Sequence, residues 1–172
     1  QNPANLFSNV AGLHTNGYSL ARKLVFQTAG LSPDDILPGG ARTVADELLA
    51  VHRSYGPSVI PLLNNPGLHA MAHITGGGFA GNISRVLPEN LDVEINPESW
   101  TVPPLFRFIR ETGKLSDREA YRTFNMGIGM TLLVDPARAD SIADSLRASG
   151  EKVYRIGRVT PGKGEARLVR NA

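Results

Sequence analysis

The sequence HITGGG, residues 73–78, places an imidazole, a hydroxyl and three consecutive glycines between an apolar run and an amphipathic one. An imidazole titrates near neutral pH and can carry a proton in either direction. A glycine triplet is costly in conformational entropy, so something requires bare backbone there. If a strand ends at Ile74 and a helix starts near Gly78, the N–H groups of Gly76, Gly77 and Gly78 converge where the helix dipole favours an anion. Thr75 can add a hydroxyl donor and His73 an imidazole. A turn that needs glycine only for tight strand-to-helix packing accounts for the same residues, and the pattern leaves both readings open. The triplet is neither a Walker A loop nor a G-x-G-x-x-G fingerprint, because the following Lys-Ser/Thr and the glycine spacing are missing.

Two further stretches repeat the theme. GLHTNGYSLARK, residues 12–23, offers His14, Thr15, Asn16 and the amide of Gly17 ahead of a helix, suited to a polar group or to ordinary N-capping. FNMGIGM, residues 124–130, sets Asn125 at a helix-to-strand junction with Gly127 and Gly129 on one strand face. Glycines inside a strand mark a bulge or a close approach by ligand or backbone, and core packing explains them equally. His69 and His73 in HAMAH have the spacing of a zincin helix, but Ala70 stands where the general-base Glu belongs. On a strand the two rings share a face, yet no third ligand lies nearby in sequence, so no metal site is expected.

The elements that must position these residues follow from periodicity. Residues 14–30 predict a turn and then a helix, capped by Thr15 or Asn16, with Leu20 and Leu24 on one face and Gly30 at its end. Residues 43–63 predict a second helix, broken near Gly56-Pro57 and resumed to Leu63. His52 is then a partly exposed helix residue rather than a catalyst. LHAMAHIT alternates as a strand, and Phe79, Ile83, Val86 and Leu87 form a helical stripe that Pro88 ends. LDVEI reads as a strand and PPLFRFIRET as a short helix; SDREAYRTFN reads as another, with Ser116 and Glu119 as a capping box. MGIGMTLLV is a buried-type strand. Asp135 caps a further helix, with Pro136 in its first turn, Ala139, Ile142, Ala143 and Leu146 on its face and Gly150 at its close. KVYRIGRVT and ARLV, with a turn at PGKG, read as a closing strand pair. Strands and helices mixed in this order predict an α/β (α+β) domain.

The 172 residues suffice for one well-packed domain, and 41% hydrophobic with 20% charged residues is an ordinary globular balance. The net charge of +2 comes from scattered basic residues, and one Trp, four Tyr and six Phe give little for base stacking, so no nucleic-acid partner is expected. No cysteine is present, which removes disulfides and thiolate metal sites and is compatible with a reducing cytosol. No apolar run reaches the ~18 residues of a membrane span and no secretory leader is visible, so no membrane partner is expected and a cytoplasmic location is.

Taken together, GLHTNGYSLAR, HITGGG and FNMGIGM, in this order and at these separations, resemble phosphoribosylformylglycinamidine cyclo-ligase, the aminoimidazole ribonucleotide synthetase family of purine biosynthesis. The similarity continues through HRSYGPSVIPLL to VYRIGRV and covers nearly the whole chain from Gly12. Each motif is weak singly; three in register are specific. The resemblance implies the carboxy-terminal half of that enzyme, a three-layer α/β/α domain with a mixed sheet, partly ferredoxin-like, that closes over the substrate. The family's amino-terminal domain, which holds ATP with magnesium and most of a homodimer interface, has no counterpart here.

The family closes formylglycinamidine ribonucleotide to aminoimidazole ribonucleotide. ATP activates the formyl amide oxygen by phosphorylation, and the amidine nitrogen then attacks that carbon. Carried over by motif, His73 is the acid/base candidate and His14 a second one. Thr15, Asn16, Gly17, Thr75, Gly76, Gly77, Gly78, Asn125 and Gly127 are the substrate- and phosphate-binding candidates. The family runs a strand into two serines before the first motif, where this chain has Val10 and Ala11. Residues 1–11 are therefore expected to be a truncation point or an appended lead-in, and residues 12–172 the substrate-side domain, inactive alone. Two other readings stand beside this one. One is a sister enzyme of the same ATP-using superfamily, such as a selenophosphate synthetase or thiamine-monophosphate kinase; the other is a stand-alone phosphate-binding or interaction module.

Overall fold

The run IGMTLLV sends alternate side chains to opposite faces, and that alternation organises the fold. It forms strand β4 (Ile128–Val134), with Leu133 in a large apolar cluster and Leu132 and Val134 in a smaller one. The structure is a computed structural model that describes the backbone of residues 5–10 and all of residues 12–170. Around β4 lie β1 (Asn5–Val10), β2 (Leu68–His73), β3 (Leu91–Ile95), β5 (Val153–Pro161) and β6 (Ala166–Leu168). They make one sheet in the order β2-β4-β1-β5-β3-β6, antiparallel throughout except for the parallel pair β3 and β6. The four strands β2-β4-β1-β5 have the order and directions of a split β-α-β, ferredoxin-like sheet, which β3 and β6 extend beyond β5.

Helices bury apolar faces on both sides. The large cluster takes side chains from α1 (Tyr18–Arg22), α2 (Val44–Leu48), α4 (Gly78–Ile83), α5 (Pro104–Thr112) and α6 (Asp117–Thr123). The smaller cluster takes Leu62, from the 3-10 turn that follows α3 (Gly56–Val59), and the face of α7 (Ala139–Ala148). That face is Ala139, Ile142, Ala143 and Leu146, as the periodicity predicts, and burying each large side chain contributes about 1.5–3 kcal/mol. Asp135 accepts from the Ala137 N–H at 2.7 Å, so the cap is in place, although the first turn is 3-10 rather than α. The capping box on α6 is also present: Ser116 Oγ accepts from the Glu119 N–H at 3.3 Å, and Glu119 Oε2 accepts from the Ser116 N–H at 2.9 Å.

Four expectations are corrected. Within the expected lead-in, Asn5–Val10 is strand β1 in the middle of the sheet, paired with β4 and with β5, while residues 1–4 and 11 lie outside the described residues. The last two strands do not pair with each other, because β3 lies between them. Buried Asp92 of β3 accepts the N–H groups of Lys163 and Glu165 at 2.7 and 2.9 Å, which ties the PGKG turn to β3 instead of closing a hairpin. The second helix stops at Leu48, whose carbonyl accepts the Tyr18 hydroxyl at 2.6 Å, and residues 49–55 run irregularly to α3. At α1 the cap is Gly17 in the left-handed region at φ 68°, not Thr15 or Asn16. The Thr15 hydroxyl and the Asn16 amide both donate to the His14 carbonyl at 2.6 Å. Beyond α1 the helix widens to π geometry over Lys23–Thr28.

Candidate functional site

The three motifs are bonded to one another. Asn16 Oδ1 accepts the Gly76 N–H at 2.9 Å, joining the first motif to the second. Asn125 joins the third to the first: its amide donates to the Gly12 carbonyl at 2.7 Å while its Oδ1 accepts the Gly127 N–H at 2.9 Å. Close packing completes the set. A Cβ on Gly17 would lie 2.3 Å from the Phe124 ring, one on Gly127 2.4 Å from Pro103, and one on Gly78 1.8 Å from the Tyr121 carbonyl oxygen. All three glycines also have positive φ. What comes so close to Gly78 is thus the backbone of α6.

The glycine turn differs in detail from a cradle of free donors. The Gly76 N–H goes to Asn16, and the Gly78 N–H donates to the Thr75 carbonyl at 3.0 Å. The Thr75 hydroxyl donates to Asn82 Oδ1 at 3.2 Å. Asn82, which sequence reasoning missed, is buried beneath the turn and donates to the Gly78 carbonyl at 2.7 Å, with longer contacts to the carbonyls of Thr75 and Gly76. Gly77 is the open member. Its φ is 96°, and an added Cβ would meet only Gly81 Cα, at 3.6 Å.

Beside the turn, His14 is buried and His73 half-buried, with His73 Nε2 3.3 Å from His14 Nδ1. The Tyr55 hydroxyl lies 3.3 Å from His14 Nε2. His14 and Thr15 both adopt positive φ, at 50° and 59°, a conformation rare for a β-branched residue and concentrated at functional sites. Burial, with His52 and His73 nearby, lowers the His14 pKa to about 4, and burial with His52 lowers that of His73. Burial also raises the Tyr55 phenol, so it stays a hydroxyl. His52 is the second residue missed. It is exposed and lies in the irregular segment 49–55, not on a helix, and its ring stacks on His14 at 4.1 Å and 8°. No third ligand lies near His69 and His73 in sequence; the fold brings His14 and His52 to His73 from a distance. His69, at a register shift on β2 and exposed, is not part of the group, whereas His52 is.

A cleft of about 660 Å³ opens on the other side of the glycine turn, between α4, α6 and β6. Gly77, Phe79 and Tyr121 line it along with Arg118, Arg122 and Arg167, giving an apolar floor with guanidinium groups around it.

Solved structures place the fold. Hydrogenase maturation protein HypE, solved in complex with ATP, matches with a TM-score of 0.65 at 20% identity, over 97% of this chain and 47% of that one. Thiamine-monophosphate kinase from Stenotrophomonas maltophilia matches with a TM-score of 0.60 at 16% identity, over 100% of this chain and 52% of that one. The class is therefore a domain that makes up about half of each of two differently named proteins. Sequence narrows it further. The profile of the AIR synthase related protein, C-terminal domain, matches residues 6–170, and the chain belongs to that family.

The phosphoribosylformylglycinamidine cyclo-ligase of Bacillus velezensis is 44% identical over 154 residues, 90% of this chain and 44% of the relative. The chloroplastic enzyme of that name from Arabidopsis thaliana is 42% identical over 90% of this chain and 39% of its own length. That of Geobacter metallireducens is 46% identical over 87% and 43%. The chain thus spans under half the length of the curated relatives it matches. Among the described residues no helix is long and apolar enough to cross a membrane.

Proposed function

We propose that this chain is the substrate-side half of an ATP-dependent cyclo-ligase that closes formylglycinamidine ribonucleotide to aminoimidazole ribonucleotide. The observation that carries the reading is the His73–His14 pair, held 3.3 Å apart beside the junction of the three motifs. Ring closure forms the C–N bond as the phosphorylated formyl oxygen departs as phosphate, and the attacking amidine nitrogen needs a base for the proton it sheds; an imidazole beside the turn suits that task. His73, the more accessible of the two, takes that proton. Buried His14, neutral well below pH 7, acts through His73 as a positioning residue. The phosphate of the substrate sits at Gly77 and in the adjoining cleft, where Arg118 and Arg122 supply positive charge; Arg167, also on its wall, is paired with Asp92 and Glu94.

ATP and magnesium are held mainly by an amino-terminal domain that precedes this one in the full protein, and the full protein is a homodimer. Leu49, Val51, Ile60 and Leu63 expose large apolar side chains that such a partner domain would cover. A phosphate-binding module without catalysis would need no second imidazole against His73, which favours the enzyme.

Growth without purines tests the reading. In a host lacking its own cyclo-ligase, the full frame that contains this chain restores growth, and the 172-residue segment alone does not. His73→Asn in the full frame lowers kcat roughly 10²-fold or more. Failure of the full frame to complement, or unchanged kcat in the variant, removes the proposal.

A further inference from the structure

Three imidazoles meet at one point of the surface. His14, His52 and His73 each offer a ring nitrogen, and these atoms all lie within 4.8 Å of one another. They come from three separate places in the chain: the turn before α1, the irregular segment 49–55, and the end of β2. We propose that they form a binding site for a divalent transition-metal ion of the zinc type. His14 Nδ1 and His73 Nε2 are its fixed pair; His52, whose ring stacks on His14 at 4.1 Å and 8°, tilts out of that stack to turn a nitrogen to the ion from the solvent side.

The geometry of the fixed pair matches a metal as closely as a hydrogen bond. Two nitrogens bound at about 2.0–2.1 Å around a tetrahedral ion lie about 3.3–3.4 Å apart. The observed separation is 3.3 Å, long for an N–H···N bond between two rings. Outer contacts are also arranged as metal-binding imidazoles require. The other nitrogen of His14, Nε2, faces the Tyr55 hydroxyl at 3.3 Å, which fixes the ring and leaves Nδ1 for the ion.

The His52 segment is anchored on both sides of Tyr55. Arg53 pairs with buried Glu151 at 2.9 Å, and the Ser58 hydroxyl donates to the same carboxylate. His52 is exposed, so the fourth coordination position faces solvent and takes water. An all-imidazole set selects zinc, copper, nickel or iron over magnesium, which requires oxygen ligands. The site is therefore separate from the magnesium that accompanies ATP.

Cobalt(II) added to the chelator-treated chain is the test, because tetrahedral cobalt absorbs visibly and hexaaquo cobalt scarcely does. A visible band that saturates at one ion per chain and is displaced by zinc is expected. His52→Ala weakens binding roughly 10-fold or more, and since His52 is exposed the metal-free fold is unchanged by thermal unfolding. His69→Ala leaves the affinity as it was. No band, a band whose affinity survives His52→Ala, or a band lost in His69→Ala overturns the proposal. On the cyclo-ligase reading a bound ion takes the His14–His73 contact and leaves His73 no free lone pair, so the ion is an inhibitor of that activity; the growth assay decides that reading separately from the cobalt titration.

Discussion

Single alanine substitutions through residues 76–78 should give three different responses, although the three residues are identical and adjacent. At Gly78 the new Cβ would lie 1.8 Å from the Tyr121 carbonyl oxygen, at a φ of 63°. Backbone on one side or the other must move by more than an ångström, and the left-handed conformation adds about 1–2 kcal/mol. With overpacking of about 1–3 kcal/mol, Gly78→Ala should cost roughly 2–5 kcal/mol before the unfolded-chain return. At Gly77 only the conformation is penalised, since the nearest atom is 3.6 Å away. Restricting the unfolded chain returns about 0.4–1 kcal/mol, which leaves a net loss near 1 kcal/mol. Gly76 has no positive φ, and its Cβ would sit 3.4 Å from Asn16 Oδ1, so Gly76→Ala should stay within about 0.5 kcal/mol of the parent. Thermal unfolding resolves the series, because at this size each kcal/mol moves Tm by about 2–4 °C. Equal shifts at all three positions, or a larger loss at Gly76 than at Gly78, would refute the steric account of the triplet.

Two further outcomes follow from buried polar groups. Asn82→Asp turns a carboxylate toward the carbonyls of Gly78, Thr75 and Gly76, so this near-isosteric change should cost at least as much as Asn82→Ala, on the order of 2–4 kcal/mol at neutral pH, by urea unfolding. An aspartate variant as stable as the parent would mean that Asn82 does not hold the turn. Stability should also fall with acidification: the unfolded chain protonates His14 near 6.5, whereas the folded chain resists until about 4. Stability is therefore full above the unfolded value and is lost as pH falls through that window, with His73 acting in the same direction. Tm measured from about pH 7 to about pH 4.5 should decline, and His14→Gln should flatten the decline; an unchanged slope in the variant counts against this assignment.

Much of the scaffold was legible because it rests on local signals. The capping box of α6, the Asp135 cap and the apolar face of α7 each lie within a few residues of the element they define. What stayed hidden depends on distant partners. β1 carries a polar stretch whose strand character comes from pairing with β4 and β5 on either side. β5 and β6 read as neighbours because only a turn separates them, while Asp92 on β3, far upstream, decides the pairing. The site shows the same division. His14 and His73 stood out beside glycines, but His52 reaches them only because α2 ends at Leu48, where the Tyr18 hydroxyl takes the carbonyl. Asn82 had no signal at all, since its partners are backbone atoms of the turn it supports.

The position of β1 also sets a timetable for biosynthesis. Asn5 pairs with Val134 on one side and with Arg158 on the other. At about 5–20 residues per second, β1 waits several seconds to half a minute after emerging from the ribosome before either neighbour exists. Until then its backbone donors and acceptors are an open template for any extended chain nearby. Closing the sheet is consequently a late event dominated by contacts of long sequence separation, the kind that fold slowly. The middle of the sheet therefore stays incomplete until β5 has been made.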